Sequence, residues 1–215
     1  MNRREPKKFH PAAFSLTARP RPGALGAGAP VALASARIVR SGTAMTDSHA
    51  SSPHPRIPVA LVVDSLNDLI RALETAGGER QMISILLLSA DGERLQCLAA
   101  PSLPRAYCNA IEGAPIGPRA GSCGTAAWFG HDVFVTDIEH DPRWTDYRDV
   151  ALAHGLQACW STPVSGADGH VAGTFAVYHR EPRSPSEQEV AAIRLASRAL
   201  APLLEAARAA RATAA

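Results

Sequence analysis

The pattern of apolar residues has a helical period in two long stretches of the chain. After Pro58, apolar side chains recur every three or four residues up to Leu73, and the pair Gly77-Gly78 follows. A second stretch begins at residues 184–187 and keeps one apolar face through Leu204. This period is typical of an amphipathic helix that packs on one side. The sequence therefore predicts a first helix after Pro58 and a long last helix.

Between these helices, short apolar runs alternate with turn signals. The run MISILLLSADGERLQCLAAP contains Asp91-Gly92, a strong signal for a hairpin, and a second hairpin turns through residues 167–169. The segment HDVFVTDI predicts a further strand that ends on Asp137. Strands joined by tight turns pair in antiparallel fashion. The pattern predicts the α+β class, with a central antiparallel sheet of about five to six strands and helices on its faces.

Three further segments predict short helices that cover the sheet. The first is SLPRAYCNAIEG. In the second, GSCGTAA, Ser122 is placed to cap a helix that starts near Cys123. The third, DPRWTDYRDVALAHG, opens with Asp-Pro and closes with Gly155, which are typical signals for the start and the end of a helix.

The N-terminal part of the chain shows neither the helical period of apolar residues nor the alternation typical of a strand. Residues 1–56 are rich in Pro, Gly, Ala, Ser and Arg, a composition that predicts a disordered tail. Residues 57–215 then form one domain. Met45 precedes a polar run and is an alternative initiator for the same domain.

The charge balance separates the tail from the domain. Residues 1–45 carry eight Arg or Lys and one acidic residue, whereas the remaining residues carry 14 basic and 19 acidic ones. A mildly acidic domain argues against a nucleic-acid partner. No apolar run approaches the roughly 20 residues of a spanning helix, so we expect no membrane partner and a cytoplasmic location.

The four cysteines are Cys97, Cys108, Cys123 and Cys159. They form no C-x-x-C pair and show no zinc-type spacing, and the histidines show no helical pairing. Since the chain has no secretion signal, reduced thiols in a cytosol are expected. The sequence predicts no metal site and identifies no cofactor.

Several motifs occur in order between residues 117 and 185: GSCGTAA, VFVTDIEHDPRWTDYR, HGLQACWSTPV and DGHVAGTFAVYHREPRSP. In these motifs the chain resembles the GAF domain of bacterial signalling proteins. The resemblance implies a pocket for a small molecule between the sheet and the covering helices, and a homodimer formed through the terminal helices. It also implies a separate kinase, cyclase or regulator as the output partner. The ligand itself is not identified by the resemblance.

Seven residues are candidates for the wall of this pocket. By strict strand alternation, Cys159 and Ser161 face opposite Trp160 and Thr162, and the sequence does not decide which pair faces the covering helices. Asp137 either orients a ligand amine or caps the helix at Pro142. The predicted ligand-binding residues are Cys123, Thr125, Asp137, Trp144, Cys159, Trp160 and Thr162.

Cys123 has two interpretations. A thiol at a helix N-terminus becomes reactive, whereas a cysteine between glycines also fits as a small buried residue. The sequence C-G-T-A at this position is similar to that of free methionine-(R)-sulfoxide reductases, but their attacking cysteine would fall in the helix region that ends at Gly155, where this chain has no cysteine. We therefore predict a sensory domain without catalytic residues. The alternatives are such a reductase and a ligand-free dimerisation module.

Overall fold

The computed structural model describes residues 59–77 and 81–212, so the predicted tail over residues 1–56 lies outside the described part of the chain. The helices are α1 (Val59–Gly77), α2 (Arg105–Ile111), α3 (Gly121–Phe129), α4 (Arg148–Ala153) and α5 (Glu187–Ala212). The strands are β1 (Gln81–Leu88), β2 (Arg94–Ala99), β3 (Ala114–Pro115), β4 (Val133–Val135), β5 (Ala158–Ser165) and β6 (Val171–His179).

The strands form one six-stranded sheet in the order β3-β2-β1-β6-β5-β4. Each neighbouring pair is antiparallel. Both hairpins predicted from the turn signals are present, because β1 pairs with β2 and β5 pairs with β6. The predicted α+β class, strand number and strand direction are therefore confirmed.

Each face of the sheet carries its own hydrophobic core. On one face, side chains of β1, β5 and β6 pack with α2, α3 and α4. On the other face, α1 and α5 contact each other and cover Ile85, Trp160 and Phe175. Seven of the eight residues of β1 are buried, as expected for a central strand covered on both faces. The sheet thus separates a face with loops and short helices from a face with the two terminal helices.

Two helix boundaries differ from the prediction. Ser122 does not cap α3, because the helix begins at Gly121 and Ser122 lies inside its first turn. The predicted single helix over residues 141–155 is interrupted: Pro142–Trp144 forms a 3-10 turn, and α4 begins only at Arg148. The cap of the 3-10 turn is Asp141, whose carboxylate accepts from the Arg143 N–H at 2.8 Å. The expected capping by Asp137 is therefore wrong.

We expect Gly173→Ala to destabilise the domain, because β6 lies close to its neighbours at this point. A Cβ on Gly173 would come within 2.1 Å of the Leu86 carbonyl oxygen and 2.7 Å of a Leu204 methyl group. Overpacking of this kind costs about 1–3 kcal/mol of unfolding free energy, measured by urea denaturation. Gly117→Ala is the control, since its Cβ would meet only the Ala120 methyl group at 3.9 Å. An unchanged urea midpoint for Gly173→Ala would contradict the close approach.

Candidate ligand site beneath helix α3

A cleft lies between α2, α3 and the sheet. Its cavity volume is about 30 Å³, which is room for about two water molecules. Among the described residues that line it, none carries a formal charge. Its walls are three tyrosines, one tryptophan, a thiol, a hydroxyl and small or aliphatic groups: Leu86, Leu95, Tyr107, Ile111, Ala114, Pro115, Ala120, Gly121, Ser122, Cys123, Gly124, Trp144, Tyr147 and Tyr178.

Gly124 allows α3 to lie against the segment that leads out of β3. A Cβ at this position would come within 2.6 Å of the Ala120 methyl group and 3.1 Å of the Pro115 carbonyl oxygen. The side chain of any other residue would therefore push the helix away from this wall. The close approach places Cys123 at the cleft with only 8% of its surface exposed.

A chain of hydrogen bonds fixes α3 to the sheet. The Ser122 hydroxyl donates to the carbonyl oxygen of Cys159 on β5 at 2.9 Å. The same hydroxyl accepts from the indole N–H of Trp144 at 3.2 Å. One buried side chain therefore positions both the helix that carries Cys123 and the indole that forms another wall.

The thiol of Cys123 lies among polar groups of the sheet. Its sulfur is 3.7 Å from the phenol oxygen of Tyr178, and the thiol of Cys159 lies beside it. Interaction with the Cys159 thiol, followed by the hydroxyls of Ser161, Tyr178 and Thr174, lowers the pKa of Cys123 to about 7 against the opposing effect of burial. The donors around Cys123 thus favour its thiolate form relative to that of an ordinary cysteine.

The groups around Cys123 remain protonated. Burial raises the pKa of Cys159 well above its usual range. Burial does the same to the pKa of Tyr107 and of Tyr178, whose rings meet edge to face with centroids 5.8 Å apart. Both phenols are therefore neutral and keep a proton that can be donated.

Four of the predicted site residues lie at or near the cleft. Cys123 and Trp144 line it, and Cys159 lies directly behind Cys123 in the sheet. Thr125 is buried within α3, where its hydroxyl accepts from the Ala120 N–H at 3.3 Å. Thr125 therefore supports the N-terminal turn of the helix rather than a wall of the cleft.

The other three predicted residues lie elsewhere. Trp160 and Thr162 are on the opposite face of the sheet, where the Trp160 ring packs against His179 with centroids 4.1 Å apart. The indole N–H of Trp160 donates to the carbonyl oxygen of Arg183. Asp137 accepts from the Glu139 N–H at 3.0 Å and pairs with His140 in an exposed turn. The expectation that these three share one pocket with Cys123 is therefore corrected.

The cleft also contains three tyrosines that the sequence analysis did not select. Tyr178 lies directly opposite Cys159 across the β5–β6 pair. Alternation along β6 places Thr174, Ala176 and Tyr178 on one face, which is a signal present in the sequence. The pairing register that brings Tyr178 to Cys123 is a tertiary feature, and Tyr107 and Tyr147 come from separate segments.

The fold and the cleft define an α+β domain with a covered pocket on one face of an antiparallel sheet. The chain belongs to the GAF domain family, whose profile matches residues 62–205. This membership was predicted from the sequence motifs and is confirmed.

A curated relative is the methyl sulfide methyltransferase-associated sensor of Methanosarcina acetivorans, with 39% identity over 113 residues. The match covers 53% of this chain and 11% of the length of that relative. The sensor name of the relative agrees with the sensory function predicted from the sequence.

Two solved structures show the same fold at low sequence identity. The GAF domain of a phosphoenolpyruvate-protein phosphotransferase from Coxiella burnetii has a TM-score of 0.57 at 16% identity, over 70% of this chain and 86% of that one. A type II free methionine-R-sulfoxide reductase from Thermoplasma acidophilum has a TM-score of 0.56 at 15% identity, over 68% of this chain and 94% of that one. These similarities support the fold and leave the activity open.

We expect Ser122→Ala to loosen the contact of α3 with the sheet. The variant leaves the Trp144 indole N–H and the Cys159 carbonyl oxygen buried without this partner. Such a loss costs about 1–3 kcal/mol in unfolding free energy, measured by urea denaturation. The exposed Ser165→Ala is the control and should stay within about 0.5 kcal/mol of wild type. Equal midpoints for the two variants would show that Ser122 is not essential to this contact.

Proposed function

We propose that this GAF domain is a sensory domain whose cleft beneath α3 receives a small uncharged molecule. The observation that carries the proposal is the lining of aromatic, aliphatic, thiol and hydroxyl groups, which contains no Asp, Glu, Lys, Arg or His side chain. The sensor-named relative supports the same function. The predicted ligand-binding residues Cys123 and Trp144 belong to this proposal as wall residues, with Cys159 behind them.

The lining selects against charged ligands. A charge buried without a counter-charge or hydrogen bonds is strongly penalised. Nucleotides carry such charges on their phosphates, and free methionine sulfoxide carries an ammonium and a carboxylate. An uncharged ligand has no hydrated charge, so it does not pay this penalty when it enters the cleft. A ligand larger than about two water molecules also requires α2 or the segment after β3 to move.

A methionine sulfoxide reductase is the second candidate, because Cys123 lies beside a second thiol, Cys159. In the sequence, Cys159 lies in a strand, outside the helix region where these reductases would place their cysteine, whereas its thiol lies beside that of Cys123 in the fold. We nevertheless propose that the domain is not this enzyme, since no Asp, Glu, Lys, Arg or His side chain lines the cleft to pair with the ionised groups of the free amino acid.

A homodimer through α1 and α5 is part of the proposal. These helices expose large apolar side chains: Leu61 is 57% exposed, Leu69 42% and Leu195 63%. Such a surface supports association with a second copy of the chain. The signal would then pass to a kinase, cyclase or regulator as output partner.

The proposed location is the cytoplasm, supported by four cysteines that all carry free thiols. Within residues 59–77 and 81–212, no helix has the length and apolar character needed to cross a membrane. In the same residues, no group of three His, Cys, Asp or Glu side chains is placed to hold a metal ion.

We expect uncharged aromatic molecules to stabilise the domain in a thermal-shift panel of phenol, indole, cyclic nucleotides and free methionine-(R)-sulfoxide. A ligand at 100 times its Kd adds about 2.7 kcal/mol to the free energy of unfolding. Ala114→Phe, which fills the cleft, should abolish the shift, whereas Ala167→Phe in the exposed β5–β6 turn should retain it. A shift by the charged compounds, turnover of the sulfoxide with dithiothreitol, or no shift at all would contradict the proposal.

We expect the double variant Leu69→Glu/Leu195→Glu to be monomeric in sedimentation velocity, where wild type is a dimer. A carboxylate placed in an apolar contact must lose its hydration, which opposes association. The matched control is Phe129→Glu, because Phe129 is 47% exposed at the end of α3 and belongs to neither α1 nor α5. A monomeric wild type, or a dimer that survives the double change, would remove α1 and α5 from the interface.

A further inference from the structure

Besides Thr162 on the opposite face of the sheet, three hydroxyl groups are buried in the core without a hydrogen-bond partner among the described residues. They belong to Ser84, Ser161 and Thr174, each with 0% of its surface exposed. Ser84 on β1 and Ser161 on β5 both pair with Ala176 of β6, from its two sides, and Thr174 lies two residues before Ala176. The three hydroxyls therefore form a compact group on the face of the sheet beneath α3. Buried polar groups normally have partners, so this group requires an explanation.

The candidate acceptor for the hydroxyls of Ser161 and Thr174 is the sulfur of Cys123, whereas Ser84 acts on the phenol of Tyr178, which itself contacts that sulfur. The hydroxyls of Ser161 and Thr174 and the phenol of Tyr178 all act on this sulfur. A neutral thiol is a weak acceptor, whereas a thiolate or an oxygen bonded to sulfur accepts hydrogen bonds strongly. The unpartnered hydroxyls thus match an anionic or oxygenated form of Cys123 better than its thiol form.

We propose that Cys123 is a modification site for hydrogen peroxide or another small uncharged hydroperoxide, with Cys159 as the thiol that closes a disulfide. The proposal rests on the proposed function only in using the same cleft as the entry path. It adds a small uncharged oxidant to the molecules that the cleft receives.

The dimensions and the lining of the cleft suit this oxidant. A cavity of about 30 Å³ holds about two water molecules, and hydrogen peroxide has two oxygen atoms. The oxidant is uncharged, like the lining. Cys123 faces the cleft and retains 8% exposure, while Cys159 is fully buried behind it. Because only Cys123 is accessible from the cleft, Cys123 is oxidised first and Cys159 reacts with it afterwards.

The reaction balances with one peroxide and two thiols. The Cys123 thiolate attacks one peroxide oxygen, the O–O bond breaks, and the departing hydroxide leaves as water with the proton that Cys123 released. Cys123 is then a sulfenic acid. The Cys159 sulfur attacks the Cys123 sulfur, the S–O bond breaks, and the hydroxide leaves as a second water with the proton of Cys159. Two thiols are oxidised to one disulfide, and the peroxide is reduced to two waters.

Cys97 and Cys108 provide an internal comparison in the same chain. Their thiols also contact each other, on β2 and α2, and both are more exposed than Cys123. The Cys97 thiol lowers the pKa of Cys108, whereas contact with Cys108 and burial raise the pKa of Cys97. Cys108 is therefore a more exposed thiol whose pKa is also lowered, so a preference for Cys123 would reflect the cleft and its hydroxyls rather than the thiol pair alone.

The test treats the full reduced chain with one equivalent of hydrogen peroxide at pH 7, blocks the remaining thiols by alkylation after unfolding, and maps the peptides by mass spectrometry. We expect a Cys123–Cys159 disulfide while Cys97 and Cys108 are alkylated. In Cys159→Ser, dimedone should trap a sulfenic acid on Cys123. In Cys123→Ser, Cys159 should remain reduced. The same oxidation in urea should lose the preference for Cys123, which shows that the fold causes it.

Two variants test the hydroxyl group separately. Ser161→Ala and Thr174→Val should slow the oxidation of Cys123 several-fold at pH 7 and move its pH profile to higher pH, because the thiolate loses donors. Ser165→Ala, exposed on the same strand, should leave both unchanged. Urea midpoints show whether each variant folds.

Four results would overturn the proposal: a reduced Cys123, a linkage only between Cys97 and Cys108, oxidation of Cys159 in Cys123→Ser, or pH profiles unchanged in both hydroxyl variants. None of them depends on the thermal-shift panel. A domain that binds an uncharged ligand but leaves Cys123 reduced would keep the proposed function and reject only this inference.

Discussion

The hydroxyl of Ser122 joins helix α3 to the centre of the sheet, since it donates to the Cys159 carbonyl oxygen and accepts from the Trp144 indole. Without this contact, neither Cys123 nor Trp144 would have a fixed place over β5. Gly124 makes the contact sterically feasible, because it lets the helix approach the segment after β3. The cleft is therefore the space left by a short, tightly held helix, and its small volume follows from that close packing.

The sheet connects this cleft to the face that carries the terminal helices. Neighbouring residues of β5 point to opposite faces, so Cys159 lies behind Cys123 while Trp160 packs between His179 and the Arg183 guanidinium. Arg183 in turn pairs with Glu189 in the first turn of α5 at 2.7 Å. The strand that would carry a Cys123–Cys159 disulfide also holds Trp160, on its other face. The chemistry proposed beneath α3 and the helices proposed for dimerisation are thus linked through two adjacent residues.

The sequence predicted the features that depend on local period and turn chemistry. The Asp91-Gly92 hairpin, the antiparallel sheet and the opposite orientation of Cys159 and Trp160 all follow from patterns within a few residues. It did not predict features that depend on a distant partner. Ser122 has the side chain of a helix cap, yet its hydroxyl uses a carbonyl 37 residues away. The pairing of Tyr178 with Cys159 likewise depends on a strand register that local patterns leave open.

The polar groups of the cleft differ from those of a site for a charged metabolite. A charged ligand needs a counter-charge to repay its lost hydration, and the lining supplies none. The polar capacity beneath α3 consists of hydroxyls, phenols and thiols, all neutral except for the thiolate character of Cys123. Neutral donors around one sulfur stabilise a charge formed on that sulfur, not one brought in by a ligand. The arrangement that we propose to exclude ionic ligands is therefore also the one that favours the proposed chemistry at Cys123.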